Sequence, residues 1–197
     1  MDALRIGCVV MAAGNASRFG DNKLAALVGG KPLIEHALCA VPREAFARVV
    51  VVTQYEPVAA LAGDFGFTVV RNAHPAWGAS HTVALGTRAL ADCDAILYQV
   101  ADQPLLRQES VRAELELYRR NPEKIVALSH GGVRGNPCIF PACFFPELLS
   151  LEGDRGGSAV IRRHSEALLL YEVDERELFD VDTPMALAAV TDALSLD

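Results

Sequence analysis

The stretch VVMAAGNASRFGDNK, Val9 to Lys23, ends an apolar run in small residues and then carries Arg18 and Lys23 five positions apart. Ala12, Ala13 and Gly14 leave room for backbone N–H groups to approach a phosphate, and the two cations would neutralise its charge. The loop is not a Walker loop, since no Gly-Lys-Ser/Thr closes it, and it lacks the Gly-x-Gly-x-x-Gly of dinucleotide sites. A solvated turn is the simpler use of the same residues. In YQVADQPLL, Asp102 follows an apolar run and precedes Gln103 and Pro104. A carboxylate there is placed either to cap a turn or to hold Mg2+ with phosphate oxygens completing the shell. In ELFDVDTPMAL, Asp180 and Asp182 alternate and so point the same way in extended chain, either one offering a second carboxylate to that metal. Thr183 is placed to cap the last helix. In HPAWGASHTVALG, Ser80, His81 and Thr82 open a helix, where free N–H groups and hydroxyls either cap it or read a base or ribose. His36, His130 and His164 have no partner at metal-ligand spacing, and the absence of Gly-x-Ser-x-Gly leaves Ser-His-Asp hydrolysis without support.

These clusters need a scaffold that brings them to one edge. Near-continuous apolar runs recur as RIGCVVMA, ARVVVVT, FTVVR, DAILYQVA, KIVALS and ALLLYEV, the pattern of strands covered on both faces. Helical segments lie between them: PLIEHALCAV, EPVAALAGDF, SHTVALGTRALAD, QESVRAELELYRR and TPMALAAVTDAL. Pro32 and Pro184 stand near helix starts, where a missing N–H costs nothing. The alternation predicts right-handed βαβ units, a mostly parallel sheet, and ligands beyond the carboxyl ends of its strands. After residue 130 the rhythm changes. SHGGVRGNPCIF reads as a turn and a short strand, and PACFFPELLSLEGDRGGSAVIRRH as loop-rich.

The chain has 197 residues, which favours a single domain. A net charge of −7 argues against nucleic acid or an anionic membrane as partner, while a local cation cluster still admits a small anion. The five cysteines are scattered, with no Cys-x-x-Cys pair, so they read as buried small hydrophobes in a reducing cytoplasm. The N-terminus has no basic leader, and no run is long enough to cross a bilayer.

The motifs together resemble those of the MobA-like nucleotidyltransferases, and more narrowly of molybdenum cofactor cytidylyltransferases and the accessory proteins of molybdenum hydroxylases. MAAGNASRFGDNKL resembles the family's Leu-Ala-Ala-Gly-x-Ser-x-Arg-Phe-Gly-x-x-Lys loop, with Ala16 at the usual serine. ADQPLL resembles its metal-binding turn, RGNPCIF and LEGDRGGSAVIRRH its acceptor-side segments, and DVDTPMAL its C-terminal signature. WGASHTVALG is nearer the serine-rich pattern of cytidylyltransferases than the Gly-Pro-Leu-Ala-Gly of guanylyltransferases. The resemblance implies a three-layer α/β/α Rossmann-like fold of the nucleotide-diphospho-sugar transferase type. It implies a nucleotide-binding part at about 1–105 and an acceptor-binding part at about 106–197. Ala12, Ala13, Gly14, Ser80 and Thr82 would hold CTP, or GTP, with Arg18 and Lys23 on its phosphates. Asp102, with Asp182 or Asp180, would hold Mg2+. Asn136, Asp154, Arg155 and Gly156 would meet the acceptor, molybdopterin cofactor. Attack of its terminal phosphate on the α-phosphorus would release pyrophosphate, and a molybdenum hydroxylase apoenzyme would receive the product. Another phosphorylated acceptor, or a non-catalytic cofactor carrier, are the alternatives.

Overall fold

The computed structural model describes residues 4–15 and 22–194. In chain order, β1 (Ile6–Ala12) leads to the short strands β2 (Leu27–Val28) and β3 (Lys31–Pro32) and to α1 (Leu33–Cys39). Then follow β4 (Arg48–Thr53), α2 (Glu56–Asp64), β5 (Thr68–Arg71), α3 (Ala79–Ala89), β6 (Ala95–Val100) and α4 (Gln108–Arg120). The last part holds β7 (Ile125–His130), β8 (Val133–Pro141), α5 (Phe145–Leu149), α6 (Ser158–Arg163), β9 (Leu168–Glu172) and α7 (Pro184–Leu194).

A seven-stranded sheet in the order β5-β4-β1-β6-β8-β7-β9 carries the structure. β1 pairs in parallel with β4 and β6, and β5 and β9 join in parallel at the two edges. The apolar runs have no polar alternation because helices cover both faces. Cys8, Val10, Val49, Val51 and Leu97 pack with Leu33, Leu38, Val58, Val111 and Leu115 of α1, α2 and α4. The intervening Val9, Val50, Val52, Ile96 and Tyr98 pack on the other face with Val83, Leu148 and Val160 of α3, α5 and α6. Successive strand residues thus fill opposite cores, as the pleat requires.

The expected short strand after residue 130 is a nine-residue one, β8, antiparallel to both β6 and β7. Gly131 and Gly132 turn the β7–β8 hairpin with φ of 56° and 76°. The Glu172 carboxylate accepts from both of their N–H groups, at 2.8 and 3.0 Å, which ties the turn to the end of β9. The loop-rich region holds two short helices, α5 and α6. Cys8, Cys93 and Cys138 are buried as expected, but Cys39 and Cys143 are exposed. Cys39 ends α1 and Cys143 lies in the turn before α5, so neither is on an element's core side. Among the described residues no helix is long and apolar enough to cross a membrane.

One core position breaks the pattern. Glu114 of α4 is completely buried, and neither of its carboxylate oxygens has a hydrogen-bond partner. Burial pushes its pKa well above the usual carboxylate range, so folding favours its protonated form. Its contribution to stability is therefore full below the unfolded carboxyl value of about 4.3 and is lost as the pH climbs toward the raised folded value. Glu114→Met keeps the volume and removes both orphaned oxygens. Thermal unfolding at pH 4 and pH 8 should show the variant more stable than wild type, by an amount that widens with pH and reaches about 1–3 kcal/mol. A pH-independent difference would contradict the assignment.

Candidate active site

Three strand exits converge on one cleft. Ala12 and Ala13 are buried at the end of β1, and Gly14 is exposed, with none of the described residues standing where its side chain would be. The exit of β4 holds this loop. Gln54 Nε2 donates to Ala13 O at 3.0 Å and to Asn15 Oδ1 at 2.9 Å, and the Tyr55 hydroxyl donates to Gly14 O at 2.9 Å. Arg18 lies outside the described residues. The chain returns in a single 3-10 turn, Lys23–Ala25, started by Asn22, whose side chain accepts from Leu24 N at 3.1 Å. Leu24 is buried beneath it and fixes the turn against the core.

From that turn Lys23 Nζ donates to Asp102 Oδ2 at 2.7 Å and to Asp182 Oδ1 at 2.9 Å. Asp102 stands just past β6. Asp182 reaches the same point because Val181 N donates to Asp102 O at 2.9 Å, a backbone clip anchored by the fully buried Val181 side chain. Thr183 caps α7, its hydroxyl accepting from Ala186 N at 3.1 Å. The side chains of Lys23 and Asp102 are only 17% and 22% exposed, against 55% for Asp182, so screening by solvent is partial. Burial pulls the Lys23 ammonium down. The charge and hydrogen bond of Asp102, then those of Asp182, more than offset it and hold its pKa above the usual lysine value.

Asp180 does not share this cation. It accepts from Gln103 Nε2 at 2.9 Å, and Gln103 is buried, also donating to Leu178 O at 3.2 Å. Burial of the carboxyl and the negative charges of Asp102 and Asp182 push Asp180 above the ordinary aspartate range, against that hydrogen bond. Alternation along the chain thus sends two acids to different partners, since buried Gln103 draws one of them.

The cleft has a volume of about 500 Å3 and is lined by Ala12–Gly14, Lys23, Asp102, Thr82 and Asp154, among others. Thr82 Oγ1 accepts from the buried Asn72 Nδ2 at 3.2 Å, which leaves its own proton to donate. Ser80 is buried and is not part of the cleft wall; its N–H donates to Gly153 O at 3.1 Å. His81 packs its ring edge on Trp77 at 4.8 Å, and Trp77 in turn stacks on His74 at 4.2 Å. Asn136 and Gly156 line a second cavity of about 170 Å3, which shares Met11 and Val100 with the first. Arg155 is exposed and lines neither. Three of the four acceptor-side residues therefore divide between two adjoining spaces, and the fourth stands outside both.

Sequence reasoning missed Arg134, which lines the second cavity and donates from Nη2 to Ser158 Oγ at 2.7 Å. Its position two residues before Asn136 in a strand was the available signal. It also missed Gln54 and Tyr55, the residues that hold the loop after β1, and Asn72 behind Thr82.

Residues 8–168 match the family model of the MobA-like NTP transferase domain. The chain belongs to this family. It is similar over nearly its whole length to the purine catabolism protein PucB of Bacillus subtilis strain 168, with 27% identity over 202 residues covering 95% of this chain and 96% of that one. The fold is that of Rv0371c from Mycobacterium tuberculosis H37Rv, with TM-score 0.80 and 21% identity over 98% of this chain and all of that one. A manganese complex of the mycobacterial protein superposes with TM-score 0.77, at 20% identity over 96% of this chain and 99% of that one. Molybdopterin-guanine dinucleotide biosynthesis protein A from Archaeoglobus fulgidus has TM-score 0.71 and 17% identity, covering 97% of this chain and all of that one. The mixed, mostly parallel sheet between helical layers is thus the nucleotide-diphospho-sugar transferase fold, as the motifs implied.

The wall between cleft and α3 depends on Gly78. Its φ is +86°, and a Cβ there would meet the Gly153 carbonyl at 2.5 Å and Asp154 Oδ1 at 2.6 Å. Gly78→Ala must therefore displace the loop that carries Asp154. Gly66, at φ +70° with open space around it, carries the cost of a positive φ without a collision, whereas Gly78 adds the collision and a ψ of −175°, a combination essentially reserved to glycine. Thermal denaturation should place Gly78→Ala on the order of 1–3 kcal/mol below Gly66→Ala; equal losses would show that the collision is relieved without moving the loop.

Proposed function

We propose that this member of the family is a metal-dependent cytidylyltransferase. It moves CMP from CTP to the terminal phosphate of molybdopterin cofactor and releases pyrophosphate. The observation that carries the reading is the pair of carboxylates, Asp102 and Asp182, converging on one ammonium at the floor of a cleft whose other wall is the Ala12–Gly14 loop. Two carboxylate oxygens within 2.9 Å of one positive centre fit a hard cation with oxygen ligands. The manganese complex of the mycobacterial fold neighbour supports a divalent metal, here Mg2+.

The backbone of Ala12–Gly14 and the Thr82 hydroxyl hold the nucleotide, with Ser80 supporting the start of α3 from below. Lys23 and Arg18 take its phosphates and offset charge building on the departing pyrophosphate. Asp102 and Asp182 hold Mg2+, with Asp180 on the rim of the same acidic group. Bound there, the metal would polarise the α-phosphate. No side chain need act as a base, because the attacking phosphate is already ionised; the chain supplies position and charge. On this reading residues of about 1–105 bind the nucleotide and those of about 106–197 meet the acceptor. Asn136, Asp154, Arg155 and Gly156 belong to that second part, and Arg134 adds a cation to it. The likeness to a protein named for purine catabolism favours hand-over of the product to a hydroxylase apoenzyme of that metabolism.

Pyrophosphate release should require both Mg-CTP and the molybdopterin acceptor, and Asp102→Asn should lower kcat by about 100- to 1000-fold. Mg-CTP at a hundred times its dissociation constant should stabilise the wild type by about 2.7 kcal/mol. Preference for Mg-GTP would overturn the base assignment, and release with no acceptor dependence would overturn the acceptor.

A further inference from the structure

Lys23 already occupies the place between the carboxylates. Its ammonium is bonded to both Asp102 and Asp182, and among the described residues no other cation bonds either of them. Nor does any group of three or more His, Cys, Asp or Glu side chains among the described residues make a metal site. The protein thus offers a metal two carboxylates and a competitor. A small divalent cation needs about six oxygen ligands, so the remainder must come from water or from phosphate.

We propose that Lys23 is a resident counter-ion that keeps divalent metal out of the site until a nucleoside triphosphate arrives. This rests on the reading of Asp102 and Asp182 as metal ligands. Metal entering alone must take carboxylate oxygens from the ammonium, stand beside a second positive charge and leave that charge, largely buried, without a partner. Metal entering with a triphosphate meets neither obstacle. The phosphate oxygens complete its shell and give the displaced ammonium a new anion. Lys23 is suited to the exchange: a flexible four-carbon stem on a 3-10 turn whose backbone Asn22 and Leu24 hold still, so the swap needs no backbone movement. One side chain thereby offsets part of the charge of the two carboxylates, excludes idle metal and then becomes a phosphate ligand. Nucleotide and metal affinities are coupled through it, and by linkage the coupling is reciprocal.

The test is titration with Mn2+, followed by the paramagnetic resonance of the free ion, with and without the non-reacting analogue α,β-methylene CTP, each read against the same mixture without protein because the analogue itself chelates Mn2+. Wild type should bind Mn2+ alone at least about tenfold more weakly than with the analogue, the response to one charge-assisted contact made or lost. Lys23→Met should bind Mn2+ alone at least about tenfold more tightly than wild type, and Lys23→Arg should behave as wild type. Thermal unfolding gives a second readout that holds even if the bare variant is unstable: Mn2+ alone should raise the melting temperature of Lys23→Met more than that of wild type. If wild type takes Mn2+ with the analogue but Lys23→Met gains nothing alone, the counter-ion role is wrong and the site assignment stands. If wild type takes no Mn2+ even with the analogue, both fail.

Discussion

The contact of one ammonium with two carboxylates organises this molecule. It joins segments 79 and 159 residues apart in the chain, and each partner is set by a different device. The parallel pairing of β1 and β6 sets the exit of β1 beside the exit of β6, where Asp102 stands two residues past the strand. The bond from Val181 N to Asp102 O then brings Asp182 to the same point from the far end of the chain. Partial burial makes the arrangement strict. Near the protein surface a charge pair of this separation is worth several times its value in water, so an unpaired member would be costly. One ammonium thus offsets part of the charge of two carboxylates, and on the proposed reading an incoming cation would have to exchange with it.

The antiparallel strand β8 gives the second half of the site. By sitting between β6 and β7 it turns its first half, Arg134 and Asn136, toward the space beside Met11 and Val100. The main cleft and an adjoining, largely apolar cavity that carries Arg134, Asn136 and Ser158 then share Met11 and Val100. The Gly78–Gly153 contact closes the same wall from the α3 side and puts Asp154 at the boundary. On the proposed reading, acceptor choice would depend on β8 and the loop before α6, and phosphate chemistry on the exits of β1 and β6.

Much of this could be read in the amino-acid sequence, for physical reasons. All six apolar runs are strands, because both faces of the sheet are covered and no polar alternation dilutes the signal. Asp102 is legible because it directly follows such a run, and Lys23 and Asp182 because of the loop and the Asp-x-Asp-Thr-Pro segment that carry them. β8 was harder to see in full. Its first residue is exposed and Gly135 and Pro137 interrupt it, so only its second half carries an apolar signature. The choice between Asp180 and Asp182 turns on Gln103, a long-range partner that no local spacing encodes. Ser80 opens a helix, as the sequence indicates, but its burial and the bond from its N–H to the Gly153 carbonyl depend on a segment far along the chain that no local spacing encodes. Glu114, on the buried face of an otherwise amphipathic helix, reads in sequence as one more solvated acid.

The most direct test is a crystal structure of the protein with Mn2+ and α,β-methylene CTP, with the metal located by its anomalous scattering. The account predicts one peak between Asp102 and Asp182, with Lys23 Nζ moved off both carboxylates and onto the phosphates. A metal bound elsewhere, with Lys23 still held by both carboxylates, would contradict it.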